Sequence, residues 1–340
     1  MRIFLSFFLF LISLVGVQST ILAQETPLEV HPVYPMNQKE EVKGYFQLAV
    51  NPDEQQTVKV KLVNKTVESL NVRIEPSNGY TNPEGGMLYE KELNSEDASL
   101  LREASEAKNF FKVKESITLE PQQTLEIPIE IIVPSRANGT FLGAVKFVVE
   151  GNKENEKKTK RGEANFVLKT EIAHAMAIQL DIGELPPPEF TLGDAGFNQI
   201  IGKVYITMIN QAQRIQEAIE GTYLLQNEQG EIVSEGEFGP FKMAPTTRIR
   251  FPFAMGTKPL REGTYRLAVT MNVNGKEIIE EKDIIIGSKA LEEFAERSSS
   301  TTVAVQGNGM PGWGWALIGG LVAVIIFFLF GIFRSLQKKT

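Results

Sequence analysis

The sequence predicts an all-β protein: two immunoglobulin-like β-sandwich domains in tandem, placed between two apolar ends. Short alternating or apolar runs recur along the chain with turn-forming residues between them, as in sandwich domains. Cysteine is absent, so these domains have to fold on hydrophobic cores of their own. About 290 residues separate the ends, which is enough for two domains of ordinary size.

The N-terminal end, residues 1–23, has the three parts of a secretory signal peptide. Arg2 supplies the positive start, an uncharged apolar run covers residues 3–17, and a more polar stretch ends at the small residue Ala23. The alternative is an anchor that is not cleaved. The apolar run is near the short limit for spanning a bilayer, which favours the signal peptide.

The C-terminal end predicts one transmembrane helix over residues 313–333. Residues 315–333 carry no charge, and as a helix they extend roughly 28 Å, the thickness of a hydrocarbon core. Trp313 and Trp315 mark one membrane interface, and Arg334, Lys338 and Lys339 mark the other. A buried core helix would explain neither flank. The basic side predicts a cytoplasmic tail, residues 334–340, and a type I cell-membrane protein whose ectodomain faces the wall.

The first sandwich is predicted over residues 24–151. Its strands are read from apolar or alternating runs separated by turns. These runs are residues 44–50, 57–63, 70–75, 124–133 and 140–149. Residues 94–109 read as a helix, because Asn94 or Ser95 suits its start and Glu96 and Asp97 suit its first turn.

Residues 152–162 are almost free of apolar side chains, which predicts a charged linker or loop; a basic docking patch is the alternative. The second sandwich is predicted over residues 163–287, beginning with the apolar run 166–180. The three prolines at 186–188 then become a connection between strands, with a domain hinge as the alternative. Asn274-Gly275 predicts a hairpin turn, and Tyr265 predicts a tyrosine corner. Residues 288–312, which include a short amphipathic segment, are predicted to form a flexible stalk.

Charge and composition exclude several functions. Of 35 Lys and Arg residues, four lie in the two ends, so 31 basic residues stand against 42 acidic ones and the ectodomain carries a net charge of −11. Such a surface repels nucleic acid. The chain has only two histidines and none of the common nucleophile or phosphate-binding motifs, so we expect no enzyme, no cofactor and no metal site. A calcium-binding turn at residues 78–86 is the alternative we considered, but it lacks regular acidic spacing.

Both predicted domains contain an ordered set of short motifs. In the first domain these are Pro35-Met36-Asn37-Gln38, Gly44 to Leu48, Pro52 to Asn64, Thr81 to Tyr89 and Val133 to Gly143. In the second domain they are Val204 to Asn210, Met243-Ala244-Pro245 and Lys258 to Tyr265. This ordered set resembles the WxL-interacting proteins of Gram-positive bacteria. The first domain is similar to the family's peptidoglycan-binding domain and the second to its host-binding domain.

The resemblance implies a non-enzymatic surface adaptor whose partners are WxL-domain proteins, peptidoglycan and host extracellular-matrix proteins, with the lipid bilayer holding its C-terminal helix. A membrane-bound sensor or scaffold is the alternative, but a seven-residue tail leaves no room for a cytoplasmic domain. Because aromatic rings stack on sugars, Tyr45, Tyr80 and Tyr89, with Asn82 between them, are the candidate ligand contacts.

Overall fold

The structure is a computed structural model that describes residues 26–93, 95–149, 171–256 and 258–300. Its strands fall into two β-sandwiches. The strands up to residue 182 are β1 (Leu28–Val33), β2 (Phe46–Val50), β3 (Gln55–Asn64), β4 (Leu70–Thr81), β5 (Met87–Glu90), β6 (Ala98–Leu100), β7 (Phe111–Lys112), β8 (Ser116–Leu119), β9 (Thr124–Ile132), β10 (Gly139–Val149) and β11 (Ile172–Ile182). The later strands are β12 (Phe190–Asn198), β13 (Lys203–Asn210), β14 (Gln216–Asn227), β15 (Ile232–Met243), β16 (Thr247–Pro252), β17 (Gly263–Val273) and β18 (Lys276–Ile286).

The first domain packs a four-stranded sheet (sheet 1, order β1-β3-β9-β7) against a larger one (sheet 2, order β2-β11-β10-β4-β5, with β8 also on β4). Strict alternation builds this core. In β3, Val58, Val60 and Leu62 point inward while the lysines between them face solvent. Strand β10 is buried along nearly its whole length, because both faces of sheet 2 are covered at its centre.

Strand β11 corrects the predicted start of the second sandwich. It pairs antiparallel with β10 and parallel with β2, so it lies inside sheet 2 of the first domain. Met176, Ile178 and Leu180 belong to the first hydrophobic core. The prolines at 186–188 therefore lie between the last strand of one sandwich and the first strand of the next, in the hinge position, and do not connect two strands of one domain.

The second domain packs sheet 3 (order β12-β13-β16-β6) against sheet 4 (order β15-β14-β17-β18). Asn274 and Gly275 form the predicted turn between β17 and β18, both with positive φ. The Tyr265 hydroxyl accepts a hydrogen bond from Arg261 N and donates one to Arg261 O, each 2.9 Å, which matches the predicted corner.

The helix predicted over residues 94–109 is wrong. This part of the chain, described from Ser95 onward, crosses to the second domain, where β6 pairs with β16 at the edge of sheet 3. It then returns through two short 3-10 helices, η1 (Glu103–Ser105) and η2 (Ala107–Phe110). Backbone hydrogen bonds from Leu101 N to Thr246 O and from Arg250 N to Asp97 O extend the pairing at both ends. Pairing with an existing strand edge outweighed the helix-start signals of the sequence.

The predicted flexible stalk begins instead as an ordered helix. Residues Ser288–Ser300 form helix α1, and Leu291 packs against the second core. Among the described residues no helix is long and apolar enough to cross a membrane. The predicted signal peptide, charged linker, remaining stalk, transmembrane span and tail lie outside the described residues, as do Trp313, Trp315, Arg334, Lys338 and Lys339.

Candidate functional site: a cleft between the domains

Two of the predicted contact residues, Tyr45 and Tyr89, line one cleft of about 420 Å³ on the outer face of sheet 2. Tyr45 precedes β2, and Phe46, the next residue, points into the core, so the Tyr45 ring faces outward. Tyr89 lies on β5 opposite Gly79 of β4. A β-carbon on Gly79 would collide with Leu142, so only glycine fits at this position opposite Tyr89.

The other two predicted contacts do not reach this cleft. Tyr80 is only 5% exposed, because neighbouring residues of β4 alternate between the faces of the sheet and Tyr80 points away from Tyr89 and into the protein. Asn82 lies in the turn that follows β4. Its side-chain oxygen accepts a hydrogen bond from Glu84 N, and its backbone bonds to Gly85 and Gly86. Asn82 therefore stabilises the turn.

Two glutamines form the polar part of the cleft floor, on the side of Tyr45. Gln47 of β2 and Gln179 of β11 are neighbours in register and both line the cleft. Each donates its side-chain N–H to the Asp181 carboxylate, at 2.9 Å and at 3.0 Å. Thr140 donates a third hydrogen bond to Asp181 at 2.8 Å. The carboxylate thereby fixes both carboxamide groups.

The carboxamide oxygens of Gln47 and Gln179 and the hydroxyl groups of Tyr45 and Tyr89 take part in no hydrogen bond with the described residues. Burial raises the pKa of Tyr89 to about 12, and nearby Tyr45 adds to the shift. The phenol therefore stays neutral at physiological pH and keeps its hydroxyl donor. A ligand that carries both hydroxyl donors and acceptors fits this set of groups.

The second domain supplies one wall of the cleft through Ile215, Glu217 and Lys242. The Lys242 ammonium group lies 2.7 Å from the Glu217 carboxylate. On the opposite side, Lys39 donates its backbone N–H to Gln47 O, which places this exposed lysine beside the glutamine floor. The cleft therefore contains residues of both domains.

Sequence reasoning selected the tyrosines by residue type and missed Gln47, Gln179, Lys39 and Lys242. One signal was available. In β11, polar Gln179 and Asp181 alternate with buried Ile178, Leu180 and Ile182, so both polar residues lie on the face opposite the core. Lys242 gave no such signal, because it reaches the cleft only through the packing of the two domains. Among the described residues, no group of three or more acidic or histidine side chains could hold a metal ion.

Family models match both domains. Residues 28–149 match the WxL Interacting Protein peptidoglycan binding domain, and residues 163–296 match the WxL Interacting Protein host binding domain. The chain belongs to the WxL interacting protein family. Both matches are to binding domains, which supports a cell-surface binding role for this WxL interacting protein, with peptidoglycan and host molecules as the classes of partner. The host-binding match includes β11, although the structure places that strand in the first sandwich.

No curated protein matches this chain. Solved structures to which the chain is similar include the E. coli chaperone DraB, at 10% identity and a TM-score of 0.30 over 75% of this chain and 94% of that one. The chaperone–tip adhesin complex CsuC–CsuE of Acinetobacter baumannii gives 10% identity and a TM-score of 0.32 over 77% of this chain and 100% of that one.

Proposed function

We propose that this WxL interacting protein is a non-enzymatic adaptor that binds wall peptidoglycan in the interdomain cleft and holds WxL-domain proteins near the membrane. The observation that carries the peptidoglycan part is that Tyr45, Tyr89 and two oriented glutamines line the same cleft. Aromatic rings bind the apolar faces of sugars, and carboxamides bind sugar hydroxyl and acetamido groups.

The WxL part of the proposal is supported by the family and by the strand edges of the second domain. Sheet 4 ends in two long strands, β15 and β18, and an extended segment of a partner protein can add to such an edge through main-chain hydrogen bonds. The predicted C-terminal helix, residues 313–333, would place this adaptor at the outer face of the membrane. Attachment to host matrix is a further role that the match of the second domain supports.

Co-sedimentation with insoluble peptidoglycan tests the glycan part. The full-length chain in detergent is mixed with peptidoglycan sacculi, and the bound fraction is measured for wild type, Tyr45→Ala and Tyr89→Ala. We expect each substitution to weaken binding about three- to tenfold, the loss expected for one aromatic contact. Tyr205→Ala is the matched control, because Tyr205 is also partly buried but lies on sheet 3, outside the cleft. Equal binding by all four proteins would reject the cleft as the glycan site.

A pull-down tests the WxL part separately. The full-length chain is immobilised and exposed to a purified WxL-domain protein from the same organism. Retention at micromolar affinity or tighter supports the adaptor. If the WxL protein is not retained while peptidoglycan still binds, the adaptor part of the proposal is wrong and the glycan part stands.

A further inference from the structure

A second pocket, of about 510 Å³, adjoins the cleft at the junction of the two domains. Met87 of the first domain and Lys242 of the second line both cavities, so the cleft and the second pocket meet at these side chains. The first domain contributes the turn between β4 and β5, and the second contributes the end of β15. Further residues in the wall of the second pocket include Gly85, Gly86, Pro240, Phe241 and Phe251.

Phe241 and Phe251 give the second pocket an aromatic wall. Their rings stack with centroids 5.1 Å apart and an angle of 6° between the planes. Phe251 is only 7% exposed and also packs on Phe238 and Phe253, with centroids 5.2 and 5.6 Å away, so the core of the second domain holds the stack. Phe241 is half-buried and lines the pocket, which leaves part of its ring open to a ligand. A ring that is already fixed loses little conformational freedom on binding.

The turn between β4 and β5 reaches this aromatic wall because it carries glycine. Gly85 has a φ of +98°, and a β-carbon there would lie only 3.2 Å from the β-carbon of Phe241. A side chain at residue 85 would therefore crowd Phe241 from the first domain. Glycine brings the turn close and leaves the space beside the ring unfilled.

The second pocket suits an uncharged ligand. Among the described residues two ionisable ones line it, and both are already in ion pairs: Glu84 with Lys203 at 3.5 Å, and Lys242 with Glu217 at 2.7 Å. The rest of its lining is aromatic, aliphatic or glycine. The cleft next to it differs, because its floor offers carboxamide groups. An uncharged ligand with an apolar face, such as a sugar ring, fits the second pocket.

The spacing along β5 separates the two aromatic positions. Tyr89 and Met87 lie on the same face of β5, two residues and so about 7 Å apart, and Gly85 lies further in the same direction. Because Phe241 packs beside Gly85, a ligand that contacts both Tyr89 and Phe241 has to be longer than one sugar ring. Linked sugar rings meet this requirement.

We propose that the second pocket is a second sugar subsite, so that the protein binds a glycan chain with one ring at Tyr45 and Tyr89 and a further ring of the same chain against Phe241. This inference rests on the proposed function and deepens it. The recognised ligand is the linked glycan backbone, and the second domain contributes an aromatic contact to it. A single sugar fills only part of the site.

Calorimetric titration of the full-length chain in detergent tests this assignment with three ligands. These are a peptide-free tetrasaccharide cut from peptidoglycan, the monosaccharide N-acetylglucosamine, and the free stem peptide. Wild type is compared with Phe241→Leu, which keeps an apolar side chain in the wall and removes the ring. Phe238→Leu is the matched control, because Phe238 is also half-buried on β15 and packs on Phe251 but lines neither the cleft nor the second pocket.

We expect Phe241→Leu to weaken tetrasaccharide binding about three- to tenfold, the loss expected for one aromatic contact. Its affinity for the monosaccharide should be unchanged, because a single ring binds in the cleft. Phe238→Leu should bind both sugars as wild type does. This pattern would support the second subsite.

Four other results would overturn it. Equal tetrasaccharide affinity in wild type and Phe241→Leu would remove the second subsite and leave glycan binding in the cleft intact. An effect of Phe241→Leu on the stem peptide alone would assign the pocket to a peptide side chain. A similar loss in Phe238→Leu would trace the effect to the packing of the aromatic cluster. If wild type binds neither sugar ligand, the proposed function itself fails and the second subsite fails with it.

Discussion

Thr81 of the first domain and Thr247 of the second share a hydrogen bond of 2.6 Å between hydroxyl groups that are both fully buried. The Thr81 hydroxyl also accepts the Ala244 backbone N–H at 2.9 Å, and the Thr247 hydroxyl donates to Ala244 O at 2.8 Å. Thr81 is therefore the donor to Thr247. This chain of bonds joins β4 to Ala244, in the loop before β16, and to Thr247, the first residue of β16, and so fixes the domains beside the cleft.

Thr81→Val should destabilise the protein by about 1–3 kcal/mol, because it leaves the Ala244 N–H buried without a partner while keeping the shape of the side chain. Urea denaturation followed by circular dichroism measures the change. Thr222→Val is the control, since Thr222 is an exposed residue of sheet 4 whose replacement should alter stability by less than about 0.5 kcal/mol. Equal unfolding midpoints for both variants would mean that the interdomain hydrogen bonds contribute nothing.

Gly139 supports the same junction by a close approach of the two domains. Its φ is +94°, and a β-carbon there would overlap the Gln213 carbonyl oxygen and lie 2.9 Å from the Gln213 side chain. Gly139→Ala should therefore cost more than the roughly 1 kcal/mol of a strained glycine position alone. Gly230→Ala separates the two effects, because Gly230 also has positive φ but a β-carbon at that position would meet nothing within 4 Å. Thermal denaturation measures the difference: Gly139→Ala should lower the melting temperature more than Gly230→Ala does. A larger decrease for Gly230→Ala would contradict the close contact between the domains at Gly139.

Alternation along the chain predicted most of the first domain. The runs at residues 57–63, 124–133 and 140–149 correspond to β3, β9 and β10, because a strand with one buried face repeats every two residues. The partner of each strand was not readable in the same way. The run that became β11 shows which face is buried but carries no mark of the sheet it joins, and it was assigned to the wrong sandwich.

The short strand β6 shows a second limit. Its three residues are too few for a periodic signal, and Ser95 to Asp97 just before it suit the start of a helix. The exposed edge of β16 in the other domain decides the outcome, and that edge exists only in the folded protein.

Only some of the residues that line the cleft were predicted from the sequence, for the same reason. Tyr45 and Tyr89 were recognised by residue type, whereas Lys242 is brought to them by domain packing.

Tyr89 should be visible in an alkaline titration. Its pKa is raised to about 12 in the folded protein, chiefly by burial, against an ordinary value of 10. Between those two values the unfolded chain gives up this proton while the folded chain keeps it, so the stability that Tyr89 contributes is complete below pH 10 and is lost as pH rises toward 12.

Ultraviolet difference titration of the phenolates measures this directly. Wild type should show a tyrosine that ionises near pH 12, and Tyr89→Phe should lack it. The phenylalanine variant should also lose less stability than wild type over the same pH range, because the unfolded variant has no proton to release at this position. If the substitution instead removed a tyrosine that ionises near pH 10, Tyr89 would be in contact with solvent and its burial in the cleft wall would be contradicted.

Helix α1 (Ser288–Ser300) packs against the second domain and is an ordered part of it. Phe294 lies against Gly202, where any added β-carbon would overlap its ring, and Leu291 packs on the core one turn earlier. Helices of this length are marginal in water without such a packed face. Phe294→Ala should therefore unfold α1 locally and leave the sandwich intact.

Hydrogen exchange of the α1 amides tests this expectation. Their exchange should be about tenfold faster or more in Phe294→Ala, while the amides of β17 keep their wild-type rates, since local opening and global unfolding are separate events. Glu292→Ala is the control, because Glu292 is exposed on the same helix and alanine favours helix formation. Unchanged exchange in Phe294→Ala would show that the helix is held by something other than its contact with Gly202. Faster exchange in both variants would assign the effect to the loss of any side chain on α1.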